Sequence, residues 1–304
     1  MATAAAYVAR RRRTQGAGLD RVLPYLLLAP TLLLVLAVVV YPIVYGVRQS
    51  FLNFRFGHAV GSVGFDNYRQ LFHDPAFGQA LWVTLKFVAL AVTVETVLGL
   101  GLALLVAGAL PFTRVARLVL VVPMIVTPIV VGIVFRLIYA SDVGLLTTLR
   151  KDIFGGGPVF ILDKGWSAFL GLVALDVWEW TPLMFLILLA GIQSLPVEPF
   201  EAARVDGAGG WRIFVDQTLP MLRSVLAVAI ALRTIDAFTT FDQVFVLTKG
   251  GPGTSTQLIS IYGYNTSFKF AEFGYGTAML LAVALVVLAL AALAVRLIRR
   301  EARQ

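Results

Sequence analysis

The sequence predicts an all-α, polytopic membrane protein with six transmembrane helices and with both termini in the cytoplasm. Composition is the first observation: 59% of the 304 residues are hydrophobic and 14% are charged, whereas a soluble domain carries about 25% charged residues. The second is the length of the apolar runs, which reach the roughly 20 residues that a helix needs to cross a bilayer. The third is the placement of arginine and lysine between those runs.

Six apolar runs are long enough to span a membrane, and each predicts one helix. They cover residues 22–47, 80–110, 118–140, 166–195, 221–247 and 273–295. The first and the last contain no charged residue, whereas the four between them contain Lys86, Glu95, Arg136, Asp176, Glu179, Arg233, Asp236 and Asp242, with Arg223 at the very start of the fifth run counted with the loop before it. The predicted organisation is therefore an N-terminal tail of residues 1–21, a membrane domain of residues 22–297 and a C-terminal tail of residues 298–304.

Arginine and lysine are concentrated on alternate sides of the predicted helices. The two tails and the loops after the second and fourth runs hold 14 of them, and the remaining loops hold eight over a longer stretch of chain. Because positive charge marks the cytoplasmic side, we expect both tails and the loop of residues 194–220 in the cytoplasm. The chain is therefore expected to cross a membrane several times.

Several classes of chemistry are not supported by the residues present. The chain has no cysteine and two histidines, His58 and His73, so a metal site or a catalytic constellation is not expected. The glycine-rich stretches 155–158 and 250–253 lack the lysine of a phosphate-binding loop, so we expect no cofactor in this chain. The net charge of +8 comes from residues beside apolar runs, which predicts membrane topology and no nucleic-acid partner.

The predicted cytoplasmic loop contains the segment EAARVDGAGGWRIFVDQTLP, residues 201–220. Pro199 suits the first turn of a helix, and Glu198 and Glu201 complement the dipole of that turn. Gly207 is a predicted C-terminal cap, after which a second helix begins. The loop therefore predicts two helices joined by a glycine turn, and such an ordered loop is typical of a docking element.

This segment resembles the EAA loop of permease subunits in binding-protein-dependent ABC importers. Glu201, Ala202, Ala203, Gly207, Leu219 and Pro220 match the pattern in register, while Gln217 replaces a preferred isoleucine. The strings YPIVYGVRQSF, FDNYRQLFHDPAF, DVWEWTPLMFLILLAGI and FDQVFVLTKGGPGTST extend the likeness to the maltose and glycerol-3-phosphate type of carbohydrate permease. The resemblance implies the type I ABC importer permease fold and a location in the bacterial cytoplasmic (inner) membrane, which the chain would cross several times.

The resemblance also implies partners and roles. A second, different permease subunit would complete a heterodimer in the lipid, two cytoplasmic ATPase subunits would bind ATP and Mg, and an extracytoplasmic substrate-binding protein would deliver the substrate. The loop would be the coupling helix that docks on an ATPase subunit. Its implied coupling residues are Glu201, Ala202, Ala203, Asp206, Gly207, Leu219 and Pro220, with Glu201 paired to a basic group of the ATPase.

Charged residues within predicted helices supply candidate substrate contacts. Asp176 and Glu179 share one helical face, and Arg233, Asp236, Ala237 and Thr240 form one stripe on the fifth helix. Two interpretations remain open: a polar translocation path for sugar hydroxyls, or an ion pair of Arg233 with Asp176 or Glu179 that joins two helices. The resemblance places Asp176, Arg233 and Thr240 at substrate-contacting positions of the maltose permease. Glu95 is expected to interact with a polar group of a neighbouring helix and not to bind substrate.

The predicted function is the translocation of a sugar, driven by ATP hydrolysis in partner subunits and not by an enzymatic activity of this chain. The sugar is left open between a disaccharide such as trehalose or maltose, a monosaccharide, a polyol and a glycerol phosphate derivative. An ion-coupled secondary transporter, with Glu95, Asp176 and Asp236 as ion sites, is the alternative. It predicts internal repeats, which the sequence does not show convincingly, and it does not explain the EAA-like loop.

Overall fold

The computed structural model describes residues 23–55, 58–107 and 113–301, so the predicted tail of residues 1–21 lies outside the described residues. Five described helices are long and apolar enough to cross a membrane, and a sixth span is counted if a bent pair of helices is taken as one. In chain order the spans are Leu23–Gln49, Pro75–Ala107, the pair Arg117–Ile125 and Pro128–Ile138, Gly165–Gln193, Gly210–Phe238 and Phe273–Leu293. They are called spans 1 to 6 below.

Span 3 is not the continuous helix that the run 118–140 predicts. Its two halves, within helices Thr113–Ile125 and Pro128–Ile138, meet at an angle of 98°. The cause is Pro128, because the residue before a proline is pushed out of the helical region. Thr127 accordingly has an extended backbone, with ψ of 141°.

Span 5 begins earlier and ends earlier than predicted. It runs as helix Gly210–Ile213, a π-helical turn Phe214–Thr218 and helix Leu219–Phe238. The wide turn directly precedes Pro220, whose ring would clash with the carbonyl group four residues before it in a regular α-helix. The predicted extent to residue 247 is wrong, since a separate helix, Asp242–Leu247, follows the break after Phe238.

Short elements lie at the end of the molecule opposite the loop of residues 194–220. They include an antiparallel hairpin of strands Leu52–Arg55 and His58–Ser62, which the all-α prediction did not contain. Helices Asp66–His73, Leu145–Phe154 and Ile259–Tyr264 and the π-helical turn Asn265–Lys269 complete this end. The final helix, Phe273–Glu301, extends span 6 into the predicted C-terminal tail.

The core lies between spans 2, 4 and 5 and the short helix Asp242–Leu247. One buried cluster contains Phe87, Leu172 and Phe238, and a second contains Met184 and Leu222. Small residues allow close approach of membrane helices, and Gly99 of span 2 is such a residue: a Cβ there would lie 2.8 Å from the Cβ of Met184. Span 1 has no buried residue in its most apolar window, as expected of a helix that faces lipid.

Candidate functional site

The loop of residues 194–220 folds as the glycine-hinged pair of helices that its sequence predicts. Its first helix is Glu198–Val205, with a proline in the first turn and both glutamates there. The helix ends in a Schellman motif, in which the amide of Ala208 donates to the carbonyl of Ala203 (2.9 Å) and that of Gly207 to the carbonyl of Arg204 (3.1 Å). This closure requires a left-handed residue, and Gly207 has φ of +76°.

The structure brings Glu201, Ala202, Ala203, Asp206 and Gly207 together on this first helix and its turn, and all but Ala203 are exposed. A cleft of about 440 Å³ separates the helix from the start of span 5, with Ala202 and Asp206 on one wall and Gln217 on the other. Leu219 and Pro220 lie elsewhere, about 14 Å along span 5 from its first residue. They lie in the first turn of the helix that follows the wide turn, and not at the exposed tip.

Two apolar side chains are exposed on this loop in addition to its charged residues. Val205 is 87% exposed at the end of the first helix, and Trp211 is 77% exposed at the start of the second. Val205 directly precedes Asp206, and Trp211 also lines a groove with Leu100 and Leu104 of span 2. The loop therefore exposes both acidic and apolar side chains.

A second polar site lies inside the membrane domain, around the fully buried guanidinium of Arg233 on span 5. All three of its nitrogens donate to carboxylates. Nε and Nη2 bind Glu95 of span 2 at 2.8 and 3.1 Å, Nη1 binds Asp236 at 2.9 Å, and Nη2 also binds Asp176 of span 4. The indole of Trp180 lies 5.2 Å from the guanidinium carbon. These residues are called the Arg233 cluster below.

The cluster contains the predicted ion pair of Arg233 with Asp176, but Glu179 has a different environment. Glu179 is 1% exposed, and its Oε2 has no hydrogen-bond partner among the described residues. Asp176 has a further donor, the amide of Gln243, at 2.5 Å. The sequence indicated neither this amide nor Glu95 as a specific partner, because both contacts join distant parts of the chain.

The rest of the predicted stripe does not line one face. Ala237 is fully buried within the apolar core, so it presents no surface to a solute in this structure. Thr240 lies beyond the end of span 5, and its carbonyl accepts a hydrogen bond from Ser260 at 2.5 Å. Placing Thr240 on a helical stripe with Arg233 was wrong because the helix ends at Phe238. Among the charged members of the cluster, only Asp236, whose side chain is 48% exposed, reaches the surface.

The opposite end of the molecule is tied together by one carboxylate. Asp74 accepts hydrogen bonds of 2.6 Å from both Tyr262 and Tyr275, and another of 2.9 Å from the amide of Ala76. Burial raises the pKa of Asp74, but these hydrogen bonds outweigh it and the net pKa lies below its ordinary value. The contacts join the start of span 2, the helix Ile259–Tyr264 and the start of span 6.

The described residues contain no group of three or more His, Asp or Glu side chains placed to hold a metal ion. The described residues form a helical membrane domain, an ordered loop that exposes acidic and apolar side chains, and a buried ion cluster that joins three spans. These features define the membrane subunit of a transporter.

The comparisons with known proteins identify the family. Residues 2–303 match the family described as "Binding-protein-dependent transport system inner membrane component", and the chain belongs to it. It is 34% identical to the sulfoquinovosyl glycerol transport system permease protein of Agrobacterium fabrum, over 93% of this chain and 92% of that one. It is 37% identical to the trehalose/maltose transport system permease protein of Thermococcus litoralis, over 84% and 87%.

Solved structures agree on the fold. A chain of a bacterial alginate ABC transporter, in complex with an alginate pentasaccharide-bound periplasmic protein, superposes with a TM-score of 0.80 at 22% identity, over 93% of this chain and 96% of that one. The predicted family and the type I importer permease fold are thereby confirmed, as is a multi-pass location in the inner membrane. The comparisons give no support to the alternative of an ion-coupled secondary transporter.

Proposed function

We propose that this chain forms, with a second and different permease subunit, the path by which an ATP-driven importer moves a sugar. Relatives named for trehalose/maltose and for sulfoquinovosyl glycerol support a sugar or a sugar derivative as the substrate. An extracytoplasmic binding protein delivers it, and two cytoplasmic ATPase subunits bind ATP and Mg and supply the energy. The chain itself catalyses no reaction.

One observation carries the coupling part of this proposal. The exposed loop and the Arg233 cluster are connected by a single helix, Gly210–Phe238. Arg233 lies 23 residues after Gly210, or about 35 Å along the helix at 1.5 Å per residue. A displacement of the loop by an ATPase subunit is therefore delivered to the cluster along a rigid element, as alternating access requires.

The tip of the loop has the chemistry for such a partner. Glu201 and Asp206 offer carboxylates to basic groups of the ATPase, and Ala202 and Ala203 leave room for close approach. Gly207 sets the direction of the chain after the first helix. Leu219 and Pro220 act differently, by fixing the wide turn through which the loop joins span 5.

The substrate part of the proposal rests on the cluster and its surroundings. Asp176, Glu179, Arg233 and Asp236 place ionisable groups where a membrane protein tolerates them only for a function or a strong mutual interaction. Asp236 is the member that a solute can reach in this conformation. Thr240 and Ala237 are included in the proposed path because they flank the end of span 5, close to Asp236 in the sequence.

The coupling role is tested by a matched pair of substitutions in the reconstituted complex. Glu198 and Glu201 are both exposed acidic residues in the first turn of the same helix. We expect Glu201→Ala to lower sugar uptake per ATP hydrolysed, with normal membrane insertion, and Glu198→Ala to resemble the wild type. Equal uptake per ATP in both variants would remove Glu201 from the ATPase contact.

A further inference from the structure

The charge balance of the Arg233 cluster is one-sided. One guanidinium is surrounded by the carboxylates of Glu95, Asp176 and Asp236, and Glu179 lies one helical turn from Asp176. Four carboxyl groups thus lie within or beside the cluster, around a single guanidinium.

Arg233 has little donor capacity left for an incoming anion. Of its five N–H groups, the one on Nε and the two on Nη2 donate to Glu95 and Asp176, and one on Nη1 donates to Asp236. One side of the guanidinium lies against Trp180. Its side chain is fully buried, so a phosphate, sulfonate or carboxylate group of a solute meets Asp236 before it meets the guanidinium. Like charges repel strongly where water is scarce.

The cluster retains acceptor capacity that the protein does not use. Glu179 is buried with Oε2 unpartnered, and a buried polar atom without a partner is uncommon and costly. Asp236 binds Arg233 through Oδ2 and has its side chain 48% exposed. Carboxylate oxygens accept hydrogen bonds only, so a sugar hydroxyl is a complementary donor.

We propose that the path through this chain selects sugars without a negative charge, with the exposed carboxylate of Asp236 accepting hydrogen bonds from sugar hydroxyls. This inference rests on the proposed sugar transport and narrows its substrate class. Under this proposal the chain carries neutral sugars, such as the trehalose and maltose for which one relative is named, and excludes sulfonated, phosphorylated or uronic sugars. In this arrangement Arg233 holds Asp236 in place and does not bind an anionic group of the substrate.

The test uses the complete importer in proteoliposomes, with this chain, its partner permease, both ATPase subunits and the binding protein. The probes are matched pairs, trehalose with trehalose 6-phosphate and glucose with glucuronate. Because the binding protein has its own preference, its affinity for each sugar is measured by calorimetry and uptake is compared at saturation. We expect the neutral member of at least one pair to be transported at least tenfold faster than its anionic partner.

A conservative substitution connects that ratio to the cluster. Asp236→Asn should reduce the ratio to less than threefold, and Glu179→Gln should lower it in the same direction. Asp66→Asn is the control, since Asp66 is also an exposed partner of an arginine three residues away, Arg69, in the helix Asp66–His73. It should leave the ratio unchanged.

Three results would overturn the inference in distinguishable ways. Equal or faster uptake of the anionic sugars would refute the charge selection and leave sugar transport intact. A tenfold ratio that Asp236→Asn and Glu179→Gln do not alter would move the selection away from this cluster. Uptake of no member of any pair, while ATP hydrolysis by the complex is normal, would overturn the proposed sugar transport together with this inference.

Discussion

Gly207 is the residue whose substitution most directly tests the role of the exposed loop. Its φ is +76°, and an added Cβ would meet no atom within 4 Å, so Gly207→Ala changes backbone energy without creating a clash. An L-residue in the left-handed conformation costs about 1–2 kcal/mol. A cost of this size changes the ratio of two conformations by a factor of about 5–30. We therefore expect the docking-competent turn to be depleted by that factor.

Gly209 supplies the matched control, because a Cβ there also meets no atom within 4 Å. Its φ of −71° and ψ of 160° suit any residue, so Gly209→Ala should be neutral or stabilising by about 0.4–1 kcal/mol. Gly207→Asn should restore part of the loss, since asparagine tolerates the left-handed conformation. The two alanine variants thus have opposite expected signs although they lie two residues apart.

The assay is titration of the reconstituted permease pair with ATPase subunits, read as sugar uptake and as ATP hydrolysed. Gly207→Ala should require about 5–30 times more ATPase for half-maximal uptake, and thermal unfolding of the membrane domain should be unaffected. Indistinguishable titration curves for Gly207→Ala and Gly209→Ala would refute the reasoning, because the turn would then not control docking.

Three further predictions concern the membrane domain and its outer end. Arg233→Met leaves two buried carboxylates without their cation and should destabilise the domain by about 3–5 kcal/mol, seen as a lower unfolding temperature in detergent, with Arg233→Lys intermediate. Gly99→Ala should cost about 1–3 kcal/mol by forcing spans 2 and 4 apart, whereas Gly101→Ala, with open space at its Cβ, should stabilise the helix slightly. The pKa of Asp74 is held below its ordinary value of 3.8, so the ionised carboxylate stabilises the folded protein above that pH, and this stabilisation is lost as the pH falls through the lowered pKa. Asp74→Asn should abolish this acid dependence of the unfolding temperature.

The elements that the sequence predicted well are those specified by local signals. The first helix of the loop begins at Glu198 with a proline and two acidic residues and ends at a glycine, and each signal acts within one turn of the residue that carries it. The spans are likewise recognised from the length of apolar runs, independently of their neighbours. Local rules therefore sufficed for the number of spans and the conformation of the loop, whereas the family was predicted from the resemblance of that loop to the EAA pattern.

The errors arose where distant parts of the chain decide the structure. Span 5 ends at Phe238, whereas the predicted run continues to Leu247, and there is no glycine or proline at the break. Phe238 is buried in the core there, and the chain turns to pack the helix Asp242–Leu247 against span 3. The bond between Arg233 and Glu95 joins residues 138 positions apart, which no periodicity in either helix reveals.

The Arg233 cluster constrains how the domain can move when the loop is displaced. Charge-assisted hydrogen bonds of 2.8–3.1 Å connect span 5 to Glu95 of span 2, and a further one connects it to Asp176 of span 4. Sliding span 5 past either neighbour would break these bonds and leave charges unpaired in a region with little water, at a cost far above that of a surface ion pair. Spans 2, 4 and 5 therefore move as one body. The relative motion that opens and closes a path must occur at the edges of that body, where span 3 is broken at Pro128 and where span 1 has no buried face.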